Sequence, residues 1–335
     1  MRQIFGLKVY QGRIVKTALA AVLLALFARI ARADRCEIIR AMLADLPVAG
    51  GEVVVPAGNY SCDHPIMLNQ SNVTLDGKGK VNLVLSDGAD SPVIIMGNLA
   101  LEPDPVNNIH VKNMRIDGNR CHQPDECWKG PCDSGELTHI RNNGITVRGV
   151  IDGSIEKVEV ENARSGGVVT EKGCVRLTVD GLSVTGSQFD GFAGYMTTES
   201  TLKNMRLFNN NAAGISLDLN FNGNSISDSK IDHNHQVGIF MRDSRRNHFK
   251  NIVIEDNGGH GIMVSLTREG DRVVPDTCPT DNVFSDVDVL RSGGFGLDLH
   301  DCRNNEFYDM TFNQNSSGSV PPLLQVYQGS VKMGQ

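Results

Sequence analysis

The sequence predicts an all-β chain wound as a parallel β-helix solenoid, closed at its start by a short helix. Three observations carry this. Glycines that open similar blocks recur at Gly191, Gly214, Gly238 and Gly261, in steps of 23, 24 and 23 residues. A period in the twenties marks a solenoid whose units bury their apolar faces only by stacking. Within the blocks one apolar template repeats: Leu202, Met205, Leu207; Phe249, Ile252, Ile254; Phe284, Val287, Val289; Phe307, Met310, Phe312. Its final pair alternates at strand period, and no window of the repeat sustains a helical one. Asn210, Asn234 and Asn257 each stand four residues before an opening glycine, which predicts an internal asparagine ladder that satisfies buried backbone groups. Leucine-rich repeats share the length, but their leucine and asparagine consensus is absent.

Residues 1–33 read as an export signal. Lys8, Arg13 and Lys16 precede an apolar run from Ala18 to Ala28, and Ala31-Arg32-Ala33 offers small residues for cleavage. The run is short for a membrane span, so no membrane association is expected once the signal is removed, and the protein is expected to be periplasmic or secreted. Residues 34–50 hold a helical pattern, Glu37 to Leu46, ending before Pro47; it is expected to cap the open end of the solenoid. The β-helix is expected over 51–318. It is interrupted at 119–143 by a cysteine-rich loop carrying the single tryptophan, Trp128, and at 266–280 by an insertion. Residues 319–335, with Pro321-Pro322, form a tail.

The signal holds six Lys/Arg and no acid, so the remaining 302 residues carry 26 basic against 39 acidic side chains, near −13. That excludes nucleic acid as a partner, which needs a basic footprint. Eight cysteines in an exported chain imply disulfides. Cys36 is placed to pair with Cys62 and Cys278 with Cys302. Cys121, Cys127, Cys132 and Cys174 are left without a readable connectivity, and no CxxC metal site is present.

Candidate chemistry lies on one column. The residue after each opening glycine is apolar (Ile145, Val168, Phe192, Ile215, Ile239, Ile262, Leu297), so positions two and four after glycine should face outward. Position two is bland. Position four reads Arg148, Glu171, Tyr195, Asp218, Arg242, Ser265, His300. Coils stack about 4.8 Å apart, which would set Tyr195 between two carboxylates with Arg242 following. Lys172 and Asn220 lie just beyond, near the turn. Trp128 would offer a ring for sugar stacking. A solvated face with charge-relieving ladder pairs is the plain alternative.

Two reactions fit this column. In β-elimination or C5-epimerisation of a uronic acid, Arg242 and Arg148 would neutralise the substrate carboxylate while Tyr195, its pKa depressed by Arg242 or Lys172, removes the C5 proton. In inverting glycoside hydrolysis two carboxylates sit roughly 6.5–9.5 Å apart; Glu171 and Asp218, two rungs apart, are separated by about 9.6 Å of backbone.

From about Gly51 to Gly318 the chain resembles the right-handed parallel β-helix superfamily of pectate lyase-like proteins. GGEVVVPAGNYSC looks like its opening segment, and the GI-x-hydrophobic…N-x-I…N units are similar to the mannuronan C5-epimerase and NosD-like branch. The resemblance implies a polysaccharide ligand and makes calcium plausible, although no Asp-rich loop demands it and no cofactor is required by the sequence. The epimerase Asp-Pro-His triplet would fall on Val169, Thr170 and Glu171, the second catalytic Asp on Tyr195, and the arginine before the next glycine on Ala212, so the catalytic set does not carry over. Gly259-His260-Gly261 matches a polygalacturonase Gly-His-Gly without that branch's paired aspartates.

The expected function is therefore a polysaccharide lyase or uronate epimerase. Tyr195, Glu171, Asp218 and Arg242 are the catalytic candidates, and Arg148, Lys172, Asn220, His300 and Trp128 the substrate-binding ones. A non-catalytic polysaccharide-binding scaffold and an inverting glycoside hydrolase are the alternatives.

Overall fold

The computed structural model describes residues 34–126, 139–269, 272–274, 277–299, 302, 304–319 and 331–333. The expected signal, Trp128, His300, Cys127, Cys132 and most of the tail lie outside these residues.

The described chain is a stack of parallel strands. A fifteen-stranded sheet, a nine-stranded sheet and a four-stranded sheet run along the solenoid. Every ladder among them is parallel; only Arg268–Glu269 and Arg272–Val273, inside the insertion, pair antiparallel. The nine-stranded sheet carries the column. Its strands Ile145–Arg148, Val168–Glu171, Phe192–Tyr195, Ile215–Asp218, Ile239–Met241, Ile262–Val264 and Leu297–Leu299 pair in that order, each with the equivalent strand of the neighbouring coil.

The core follows from the repeat. All seven residues that follow the opening glycines are completely buried. On the large sheet Phe249, Phe284 and Phe307 stack with ring centroids 4.3 and 5.1 Å apart, as equivalent positions in successive coils must. The opening glycines answer to close approach: a Cβ at Gly191 would stand 2.8 Å from Nδ2 of Asn210 and 2.8 Å from the Gly214 carbonyl oxygen.

The asparagine ladder is present. Oδ1 of Asn234 accepts both the backbone N–H and the side-chain amide of Asn210, and Oδ1 of Asn257 does the same for Asn234. Asn315 continues the column, accepting from the Ser292 N–H and donating to the Val289 carbonyl. Its NSS sequence matches a glycosylation pattern, but its amide is committed to this internal rung. A second ladder, unforeseen in the sequence, runs through Asn224, Asn247, Asn282 and Asn305 at another corner.

At the N-terminal end the helix Glu37–Ala44 buries Ile39 and is tied to the strand Gly58–Cys62 by the Cys36–Cys62 disulfide. Cys278 and Cys302 form a second disulfide across the insertion. Such bridges fit an oxidising compartment. Two of the four cysteines whose connectivity the sequence left open are free thiols. Cys121 is an exposed free thiol, and Cys174 is a buried one whose Sγ–H lies against the carbonyls of Val147 and Glu171. Burial pushes the Cys174 thiol up to about 11. No described helix is long and apolar enough to cross a membrane.

Candidate active site

The sheet register sets the column. Arg148 pairs with Glu171 and Tyr195 with Asp218 on adjacent strands. The expectation of an open, solvated face does not hold here. At position two Thr146, Val169, Ala193 and Ser216 are buried, and at position four so are Arg148 and Asp218, because loops fold over the strand ends.

Arg148 explains part of the cover. It is 1% exposed. Its guanidinium donates to the carbonyls of Asn98 (3.1 Å) and Ala100 (2.8 Å) and pairs with the Glu171 carboxylate. With 1% exposure and three of its five N–H groups committed to protein acceptors, Arg148 presents little to a substrate carboxylate, which favours a structural role over the binding role expected of it. Glu171 is correspondingly committed to Arg148. Lys172 reaches Glu102 on the same loop at 3.3 Å, and Asn220 sits in a left-handed turn, its N–H bonded to the Asp243 carbonyl. Neither enters the cleft below.

A cleft of about 300 Å³ opens over the middle of the column. Glu171, Tyr195, Asp218 and Arg242 reach it from the strand ends, and Val169 and Ala193 line its floor. Three further groups went unnoticed in the sequence. Asp190 comes from the residue before the opening glycine, and His139 and Arg141 come from the loop leading into the coils. The Arg141 guanidinium lies 5.1 Å from the Phe189 ring centroid, a cation–π seat that holds a positive charge at the rim. Asn143 braces the same wall: it donates to Thr146 Oγ1 at 2.9 Å and accepts from the Gly166 N–H at 3.0 Å.

Asp190 is fixed by the backbone on both sides. Its carbonyl accepts from the Gly167 N–H at 2.9 Å, and its Oδ1 accepts from the Ala213 N–H at 3.0 Å. Burial pushes its carboxyl up to about 6, against the opposing pull of that N–H and of Arg141. Tyr195 moves upward as well. Burial first, and then the negative charge of Asp190, push its phenol up to about 12. This direction is opposite to the depressed pKa that a phenolate base requires. Asp218 accepts from both Nε (2.8 Å) and Nη2 of Arg242 and from the Leu219 N–H at 2.8 Å. The Asp218–Arg242 pair therefore brings a guanidinium to the cleft with its charge partly balanced.

Among the described residues no three His, Cys, Asp or Glu side chains converge as a metal site. His260 of the Gly-His-Gly is a turn clasp. Its Nδ1 accepts from the Phe295 N–H at 3.0 Å and its ring stacks on that of Phe295. His233 and His235 are exposed at a turn, His233 beside Asp232 at 2.9 Å. A larger cavity of about 580 Å³ near the N-terminal helix, lined by Leu43, Met67 and Leu99 among others, brings no acid–base pair together.

No curated protein matches the chain in sequence. Among solved structures it is similar to the mannuronan C-5 epimerase AlgE4 A-module of Azotobacter vinelandii, at 16% identity over 88% of this chain and 94% of that one, with a TM-score of 0.58. The family 28 exopolygalacturonase of Yersinia enterocolitica aligns at 13% identity over 85% of this chain and 74% of that one, TM-score 0.58. PfbA, a surface adhesin of Streptococcus pneumoniae, aligns at 10% identity over 78% and 71%, TM-score 0.56. Likeness at these identities is likeness of fold. The family model described as the right-handed β-helix region matches residues 104–277, more than half of the chain, and the chain belongs to that family.

Proposed function

We propose that this protein is a carbohydrate-active enzyme that removes the C5 proton of a uronate residue, as a lyase or a C5-epimerase. One observation carries the reading: Asp190 and Tyr195 face one cleft and burial raises both, to about 6 and about 12, which leaves a carboxylate and a protonated phenol together at neutral pH. With its pKa nearer neutrality, the carboxylate is a stronger base than an ordinary one, and the phenol keeps its proton to give. Asp190, ionised above about pH 6, takes the C5 proton. Tyr195, protonated throughout the neutral range, gives one. In elimination the C5–H electron pair forms the C4–C5 double bond, the C4–O bond breaks, and the Tyr195 proton goes to the leaving oxygen. In epimerisation the proton returns to C5 from the opposite face. Arg242 and Arg141 stand where a substrate carboxylate would need its charge balanced. Glu171 and Asp218 act by holding Arg148 and Arg242 in place. The epimerase and polygalacturonase names among the similar folds support a uronate-containing polysaccharide as ligand.

The test is incubation with polymannuronate and polygalacturonate, with and without calcium. Ultraviolet absorbance reads the unsaturated product, and C5-proton exchange is followed in deuterated water. Either signal, lost in Asp190→Asn, supports the reading. Reducing ends without unsaturation or exchange would replace it with hydrolysis, for which Asp190 is the acid. Binding without any turnover would replace it with an adhesin-like scaffold.

A further inference from the structure

We infer that the face carries a second saccharide subsite that adjoins the cleft, two to four coils beyond Tyr195 toward the C-terminal end, built on Phe240, Met263, His260 and Asp298. The inference rests on the functional reading above and extends its substrate to a chain of several sugars.

The floor of the cleft and this patch are one column. Val169 pairs with Ala193, Ala193 with Ser216, Ser216 with Phe240, Phe240 with Met263 and Met263 with Asp298, without a break in register. Side-chain size changes along it. Val169, Ala193 and Ser216 are small and buried, whereas Phe240, Met263 and Asp298 are larger and partly exposed. A floor that is low under the cleft therefore rises into an apolar platform. An aromatic ring beside a thioether suits the apolar face of a sugar ring.

Polar groups flank the platform. The Arg242 guanidinium lies 5.7 Å from the Phe240 ring centroid, so one arginine borders both cleft and platform. Because His260 Nδ1 accepts from the Phe295 N–H, the neutral ring carries its proton on Nε2, which lies 3.6 Å from the Asp298 carboxylate. That pair offers a donor and an acceptor to sugar hydroxyls, and the imidazole is held rigid by its stack on Phe295. Apolar platform, hydroxyl-binding pair and bordering arginine together fit an acidic polysaccharide continuing out of the cleft. At about 4.8 Å per coil the patch begins some 10 Å from Tyr195, beyond the reach of the sugar whose C5 reacts.

The test measures binding of polymannuronate and polygalacturonate, and of their trisaccharides, to the full chain and to Phe240→Ala, Phe240→Tyr and His260→Ala. Phe240→Ala and His260→Ala should weaken polymer binding about tenfold while trisaccharide affinity stays within twofold. Phe240→Tyr, which keeps the ring, should bind polymer as the parent does and guards against a fold defect. Polymer binding unchanged in both alanine variants, or lost equally for polymer and trisaccharide, overturns the subsite alone. A parent protein that binds neither polymer overturns the functional reading, and the subsite with it.

Discussion

Asp190 and Tyr195 stand at opposite ends of the strand Phe192–Tyr195, one just before its opening glycine and one at its last residue, yet both side chains line the same cleft. The shared cleft brings the charge of Asp190 to bear on Tyr195. After burial, the negative charge of Asp190 is the next contribution that raises the Tyr195 phenol.

The first prediction concerns pH and rate. A base with a pKa of about 6 is inactive when protonated, so kcat/KM should rise with pH through an acid limb near 6. No basic limb from Tyr195 should appear below about pH 11. Asp190→Asn should lower kcat about 10²–10⁴-fold and abolish the acid limb in what remains. A limb that stays at pH 6 in the asparagine variant would assign it to another group.

Stability should move the opposite way in the same variant. The folded-state pKa of Asp190 lies above the ordinary aspartate value of 3.8, so between about pH 4 and 6 the native state binds more protons than the unfolded one. Stability then falls as pH rises through that window. Asparagine copies the neutral form. Asp190→Asn should be stabilised by about 1–2 kcal/mol at pH 7 and be near neutral at pH 4, read from urea unfolding at the two values. Equal stability changes at both would remove the buried-carboxylate account.

Tyr195→Phe removes one oxygen and little else. With Tyr195 as proton donor, turnover should drop about 10²-fold or more while substrate KM changes little. The acid limb near pH 6 should persist, since Asp190 remains. If the limb vanishes together with the hydroxyl, the roles of the two groups are coupled differently.

The solenoid was legible because its physics is repetitive. One apolar residue recurs after each opening glycine, and asparagine recurs four residues before three of them, because stacked coils put equivalent residues in contact; Ile215 and Asn234 show both. The second ladder escaped although Asn224, Asn247 and Asn282 each stand 14 residues before the next opening glycine (Gly238, Gly261 and Gly296); counted forward from the preceding glycine, as the column was, the offsets are 10, 9 and 21, because the insertion after Val264 falls before Asn282. The column was legible only in part. Alternation placed Tyr195 and Arg242 on the right face, but alternation is silent on cover, so Arg148 looked available when the carbonyls of Asn98 and Ala100 already enclose it. Asp190 lies in the turn, where strand alternation does not apply. Arg141 arrives from a loop whose place only the stacking of coils decides.

Arg148 gives a prediction that separates structure from binding. Arg148→Ala leaves Glu171 without its cation and two loop carbonyls without donors, and should cost about 3–5 kcal/mol. Arg148→Lys keeps the charge but cannot reproduce the fork, and should also lower the unfolding midpoint. A substrate-binding arginine would instead raise KM at unchanged stability, and that result would return Arg148 to the cleft.

The ladder makes the final prediction. Asn234 sits mid-column: its Oδ1 takes two hydrogen bonds from Asn210, and its Nδ2 donates to the Leu207 carbonyl and to Asn257 Oδ1. The site is 1% exposed, so no water replaces what is removed. Asn234→Ala strands the Asn210 N–H and the Leu207 carbonyl, each costing about 1–3 kcal/mol when buried and unpaired, for a total loss of about 2–4 kcal/mol. Asn315→Ala removes a rung that is only partly buried and should cost less, because solvent can reach the groups it leaves. Amide hydrogen exchange should then open around the Leu207 and Ile231 coils in Asn234→Ala while the Asn315 variant loosens only its own end. Similar losses from both positions would mean that the ladder acts through the whole solenoid and not rung by rung.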